Sequence, residues 1–147
     1  MQSILERRVQ RAAESLMENE SLTEGLDTEA ANLLLNWGIE RAREIAWDFA
    51  EVRDEEQAQT LMYPRLRALR RMMSSITTLI CYQSSLDATA RAELLDQVLA
   101  QAGIVYGPGF SAPNEARLAS LLRAPLDPPQ AWIASLCALL DHKTANV

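Results

Sequence analysis

With 147 residues, 48% of them hydrophobic, the chain can bury one real core and is too apolar for wholesale disorder. A formal net charge of −6 and a pI of about 4.8 argue against nucleic-acid or anionic-membrane binding across the whole surface, though not against one local basic patch. Lys143 is the single lysine among fourteen basic residues, a skew that a coding bias explains as readily as recognition does.

Residues 2–20 carry Leu5, Val9, Ala12 and Leu16 at three-and-four spacing, with Ile4, Ala13 and Met17 widening the stripe, which predicts an amphipathic helix. ESLTEGLD then forms a connection, and Asp27 or Thr28 can cap a second helix starting near residue 28. Ala31, Leu34, Leu35, Gly38, Ala42, Ile45, Phe49 and Val52 fall on one side of it at about 100° per residue. Gly38 sits in mid-stripe, where its helix penalty of ~1 kcal/mol needs compensation, and the expected compensation is close approach of another helix.

A break or sharp kink is expected between residues 54 and 64. Asp54 with Gln57 has capping-box spacing and can start a third helix; alternatively the second helix runs to about residue 60 and Pro64 occupies the first turn of the third. Leu66, Leu69, Met73, Ile76 and Ile80 then mark a buried stripe reaching about Gln83. Leu86 and Asp87 announce a fourth helix with Leu94, Leu95, Val98, Leu99 and Ala102 inside, expected to stop at a Gly103 cap. IVYGPGF reads as a turn whose aromatic ends, Tyr106 and Phe110, rest on the bundle. Helices from about Pro113 to Ala124 and from Pro128 to about His142 complete the chain. No strand alternation or fixed repeat is visible. The expected fold is all-α: one domain over residues 1–147, a bundle of five or six helices, largely antiparallel because the connections are short.

Chemistry is sparse. His142, the one histidine, is tied by no motif to a nucleophile and suits a helix C-terminus. Asp141 beside it points about 100° away, so the two form no dyad. One His with Cys81 and Cys137 does not make a usual zinc set, and neither HExxH, ExxH, DxDxDG nor a phosphate loop ending in GK[ST] occurs. The expectation is no catalytic residue, no metal and no cofactor. The two cysteines read as reduced thiols packed like small hydrophobes. Glu40, Glu44, Asp48 and Glu51 read as a solvated ridge, leaving an enzyme running on carboxylates as a third-ranked reading.

YPRLRALRRMM, residues 63–73, concentrates four arginines. On a helix Arg67, Arg70 and Arg71 lie opposite the apolar stripe, whereas Arg65 lies at its margin, where its stem can pack while its head finds an acid. The acidic run Glu51, Asp54, Glu55 and Glu56 could fold back alongside the outward three; they could also meet a partner protein, or a phosphate-containing ligand or nucleic acid. Leu33, Trp37 and Trp47 fall off the main stripe of the second helix. An outward Trp among Glu40, Arg43, Glu44 and Glu51 is a favoured interface anchor, unless another helix of the chain covers it. The leading expectation is therefore a helical interaction or scaffolding protein that self-associates as a homodimer through Leu33, Trp37 and Trp47, or meets another protein. Ligand binding at Arg67, Arg70 and Arg71 is the alternative. With neither a signal peptide nor an apolar run of ~18 residues, a cytoplasmic location is expected.

Overall fold

The computed structural model describes residues 3–141, and among these every regular element is helical. Six α-helices follow in order: α1 (Ile4–Met17), α2 (Thr28–Asp48), α3 (Glu55–Cys81), α4 (Ala88–Tyr106), α5 (Glu115–Arg123) and α6 (Pro129–Asp141), with 3-10 turns at Glu20–Leu22 and Gln83–Ser85. No helix among the described residues is long and apolar enough to cross a membrane. His142, expected to close the last helix, lies outside the described residues.

The starts of the helices are written in short polar side chains. Asp27, Asp54, Asp87 and Asn114 each accept from backbone amides of the first turn, and Ser3 forms a reciprocal capping box with Glu6. The break between α2 and α3 thus comes from Asp54, whose Oδ1 accepts from Glu56 N at 3.0 Å and Gln57 N at 3.3 Å. α2 stops at Asp48, so Phe49 and Val52 belong to the connection rather than to the α2 stripe. Pro64 is not in a first turn; it lies inside α3. It and Thr60 are both exposed, so water can serve the carbonyl that the proline ring leaves without its helical donor.

From α1 to α4 neighbouring helices run antiparallel, as four meetings between them show. Arg8, near the start of α1, reaches Phe49 at the end of α2. Gly38 of α2 lies against Met73 of α3, while Asp48 farther along α2 meets Arg65 nearer the start of α3. Arg65 in turn reaches Val105 at the end of α4. The α1–α2 and α3–α4 pairs are joined through α2 and α3, and α6 packs on α2. One continuous core runs through them, centred on Leu16, Leu34, Ile45, Leu69, Met72 and Ile76.

Gly38 does bring two helices together. A Cβ there would sit 2.6 Å from Met73 Sδ, inside contact distance. The buried face of α2 is turned slightly from the expected one: Ala30 is enclosed where Ala31 is half-buried, and Trp37 joins Leu34, Ala42 and Ile45 inside. α4 runs one turn beyond its expected end. Gly103 is an ordinary helical residue and Gly107, at φ +75°, takes the end of the helix. The added turn stays helical because Val105 is buried and Tyr106 packs on the core. Tyr106 and Phe110 then stack across the Gly107–Pro108–Gly109 turn, centroids 5.3 Å apart, both against the core. Cys137 is buried as expected and Cys81 is exposed; both are free thiols.

Candidate functional site

The residues singled out on α2 separate. Trp37 is 8% exposed, and its indole Nε1 donates to Asp141 Oδ2 at 3.2 Å, so α6 of the same chain covers it. This corrects its expected place on an outward surface: an indole pays least for burial when its N–H finds an acceptor, and the end of α6 supplies one. Leu33 is half-buried against the core. Trp47 remains outside, 59% exposed in the last turn of α2.

Trp47 closes one end of an apolar groove between α1 and α2. Val9, Ala13 and Met17 of α1 line it, Met17 being 58% exposed. The rim carries Glu6 and Glu14 on the α1 side and Arg43 on the α2 side. Position 13 is alanine, which leaves room above the helix, while Met17 and Trp47 stand on either side. The groove is thus shallow, greasy and charged oppositely along its two edges.

Asp141 gathers a polar cluster. Its carboxylate accepts from Trp37, from Arg41 Nη1 at 2.6 Å and from the Tyr106 hydroxyl, tying α2, α4 and α6. The Arg41 guanidinium also pairs with Glu44 at 3.2 Å and lies over the Trp37 and Tyr106 rings. Burial disfavours the Arg41 charge, but Tyr106, Asp141 and Glu44 more than compensate, so its pKa is raised. Burial, the hydrogen bond to Asp141 and that carboxylate's charge push the Tyr106 hydroxyl well above its ordinary range against the opposing pull of Arg41. Burial, then Asp141, pushes the Cys137 thiol up to about 12. Both oxygens of Asp141 are therefore engaged by donors of the same chain, and the cluster acts as a clasp between helices. Among the described residues no group of three His, Cys, Asp or Glu side chains is placed to hold a metal ion.

The clasp has a pH signature. A native pKa raised above the unfolded value of ~10 supplies stability below that pH, and the stability is lost as pH rises toward the native value. Denaturant midpoints followed across a pH series are therefore expected to fall above about pH 10 in the unmutated protein, and to fall less steeply in Tyr106→Phe. Equal slopes in the two proteins would mean that Tyr106 ionises as freely in the fold as out of it.

The arginines of α3 also divide. Arg65 behaves as a marginal residue should: half-buried, it pairs with Asp48 at 2.8 Å, donates to the Val105 carbonyl at 2.6 Å and covers the Phe49 ring. The acidic run does not fold alongside Arg67, Arg70 and Arg71. Glu55 instead receives Arg8 at 3.1 Å and Arg11 at 3.6 Å from α1, and no ion pair joins Arg67, Arg70 or Arg71 to an acid among the described residues. Arg67 and Arg71 face solvent, whereas Arg70 is half-buried toward α1. ERRVQR at residues 6–11 sets a second group of arginines, Arg7, Arg8 and Arg11, at helical spacing on α1. Comparison with protein-family models, curated proteins and solved structures finds no match for this chain.

Proposed function

We propose that this protein is a helical interaction protein that self-associates, with the α1–α2 groove around Trp47 as its contact and the same groove of a second copy as the occupant. One observation carries the reading: a tryptophan left 59% exposed and a 58%-exposed methionine line one alanine-floored groove. Large apolar side chains gathered at one place are the usual core of a protein contact. The charges favour a second copy over an unrelated partner. A two-fold axis sets the same patch against itself, so Arg43 of each copy comes over Glu6 or Glu14 of the other, and the rim is complementary to itself. Trp37 takes no part in the contact, and Leu33 serves the fold. A scaffolding role in the cytoplasm is the setting that this reading suggests.

Sedimentation of Trp47→Ala tests it. The variant is expected to weaken self-association by on the order of 2 kcal/mol, about thirtyfold, with helicity by circular dichroism unchanged. Trp37→Phe is expected to lower stability and leave association alone. A unmutated protein that sediments as a monomer at concentrations on the order of tens of micromolar would remove the proposal.

A further inference from the structure

On its other edge α1 forms two adjoining clefts, one with α3 and one with the α2–α3 connection. Arg8, Arg11, Gln59, Tyr63 and Arg70 line the first, above an apolar floor that includes Met62; Arg7, Arg11, Arg53 and Glu55 line the second. Five arginines thus line the two clefts, Arg11 being the shared wall, with Glu55 the single acid among the lining residues, in a chain of net charge −6.

That acid is already committed. Glu55 accepts from Arg8 at 3.1 Å and from Gln59 at 3.2 Å, and Arg8 also donates to the carbonyls of Phe49 and Val52. Arg11 reaches Glu55 only at 3.6 Å from an exposed position. Arg7, Arg53 and Arg70 have no acid within ion-pair distance among the described residues. Arg70 is moreover half-withdrawn from water, which raises the cost of leaving its charge without a counterion. The field in this concavity is positive, and guanidinium forks stand on both of its walls.

We propose that the α1–α3 cleft binds a phosphate group, held between Arg11 of α1 and Arg70 of α3, and that the group is carried by a small phosphorylated ligand with a flat ring, as in a mononucleotide. A dianionic phosphate has enough oxygens to accept from two forks at once, which a single carboxylate does less well. Tyr63, 55% exposed in the cleft wall, offers a face on which such a ring can stack. The surface first expected to bind phosphate is thereby reassigned: Arg70 belongs to the site, and Arg67 and Arg71 do not. The site is independent of self-association, because the groove with Trp47 lies on the opposite edge of α1.

Calorimetric titration of the full chain at low ionic strength, with pyrophosphate and ADP as probes, tests the assignment. Both are expected to bind, less tightly as salt rises, with Arg70→Gln and Arg11→Gln each weakening them by about tenfold or more and Arg71→Gln leaving them within about twofold. Tyr63→Ala is expected to weaken ADP and spare pyrophosphate. ADP binding no tighter than pyrophosphate in the unmutated protein would assign the cleft to free phosphate. No heat from either probe at low salt, or equal losses in Arg70→Gln and Arg71→Gln, would overturn the site. Either Arg70→Gln or Arg11→Gln suffices should the other fail to fold.

Discussion

Arg8→Met is expected to destabilise the fold by about 3 kcal/mol, read as a lower urea midpoint at unchanged slope. Arg8 is 2% exposed, and every nitrogen of its guanidinium donates. Nη1 donates to Phe49 O at 2.7 Å, Nη2 to Val52 O at 2.8 Å, and Nε and Nη2 to Glu55 at 3.3 and 3.1 Å. Methionine fills much of the volume but offers no donor, so Val52 O loses its side-chain donor at ~1–3 kcal/mol, less whatever water recovers, Phe49 O keeps only the Val52 amide at 3.1 Å, and Glu55 loses its buried cation. The ion pair itself contributes little. Glu55 is partly exposed, so Glu55→Gln is expected to lose less than about 1 kcal/mol. If Glu55→Gln proves as harmful as Arg8→Met, the charge pair and not the carbonyls holds the turn.

The pH dependence separates the two contributions further. Burial raises the Glu55 pKa, but hydrogen bonds from Gln59 and Arg8 and the charges of Arg8 and Arg11 outweigh it, so its carboxyl lies below the ordinary value. A depressed native pKa gives stability present above the unfolded value, ~4.3, and lost as pH falls through the native one. Without Arg8 much of that depression goes, so the acid limb of the stability profile flattens in Arg8→Met while the neutral-pH deficit remains.

Arg8 also belongs to a pattern that accounts for part of the arginine content. α2 and α4 have no basic residue in their own last turns, yet carbonyls at the ends of helices need donors. Besides the local amides of Phe49, Ala50 and Gly107, some come from other helices. Arg8 of α1 serves the end of α2, Arg65 of α3 serves Val105 at the end of α4, and Arg91 of α4 reaches Leu122 O in α5 at 3.1 Å. A long side chain with several donors in a planar fork can cross between helices and still bond two carbonyls, or a carbonyl and an acid, at once. Each such bridge fixes the register of one helix pair.

What could be read from the chain was what neighbours in sequence decide. Asp54 caps α3 and Asp27 caps α2 through amides two or three residues away, so their chemistry is visible locally. The stripe from Leu69 to Ile80 and the close approach at Gly38 follow from helical period and residue size. Arg65 could be placed because a marginal arginine has few options. Choices among distant partners were not legible. Trp37 and Asp141 are 104 positions apart, and only the docking of α6 on α2 decides that this indole goes inside while Trp47 stays out. Glu55 could have met the arginines of α3 by simple chain reversal; Arg8 claims it because the carbonyls of Phe49 and Val52 lie beside it and reward the same side chain. Gly103 looked like a helix end on composition alone, whereas the apolar Val105 and the Tyr106 hydroxyl on Asp141 draw the chain through one more turn.

Gly38 and Met73 provide the second large effect, in which two substitutions are expected to offset each other. Met73 is fully buried, and Met73→Ala should cost about 2–5 kcal/mol, because the space it leaves is only partly reclaimed. Gly38→Ala should also destabilise by itself. Its Cβ would lie 2.6 Å from Met73 Sδ and 2.8 Å from Cε, with Leu16 Cδ1 at 3.4 Å, so the thioether must move within a filled core. Overpacking of ~1–3 kcal/mol then outweighs the ~1 kcal/mol that alanine gains as a helix former. In the Met73→Ala background the obstruction is gone and the new methyl enters vacant space, so Gly38→Ala should change sign and stabilise. The expected coupling is about 1–3 kcal/mol, measured by urea denaturation of the four proteins; additivity within about 0.5 kcal/mol would show that α2 and α3 do not meet at this point. The consequence reaches beyond packing. The α2–α3 spacing that Gly38 permits also sets the reach of Arg65 to Asp48 and Val105, so Gly38→Leu should loosen that bridge together with the core. A reduced protection of the α4 C-terminal amides from hydrogen exchange in Gly38→Leu, beyond that expected from global stability, would register the loss.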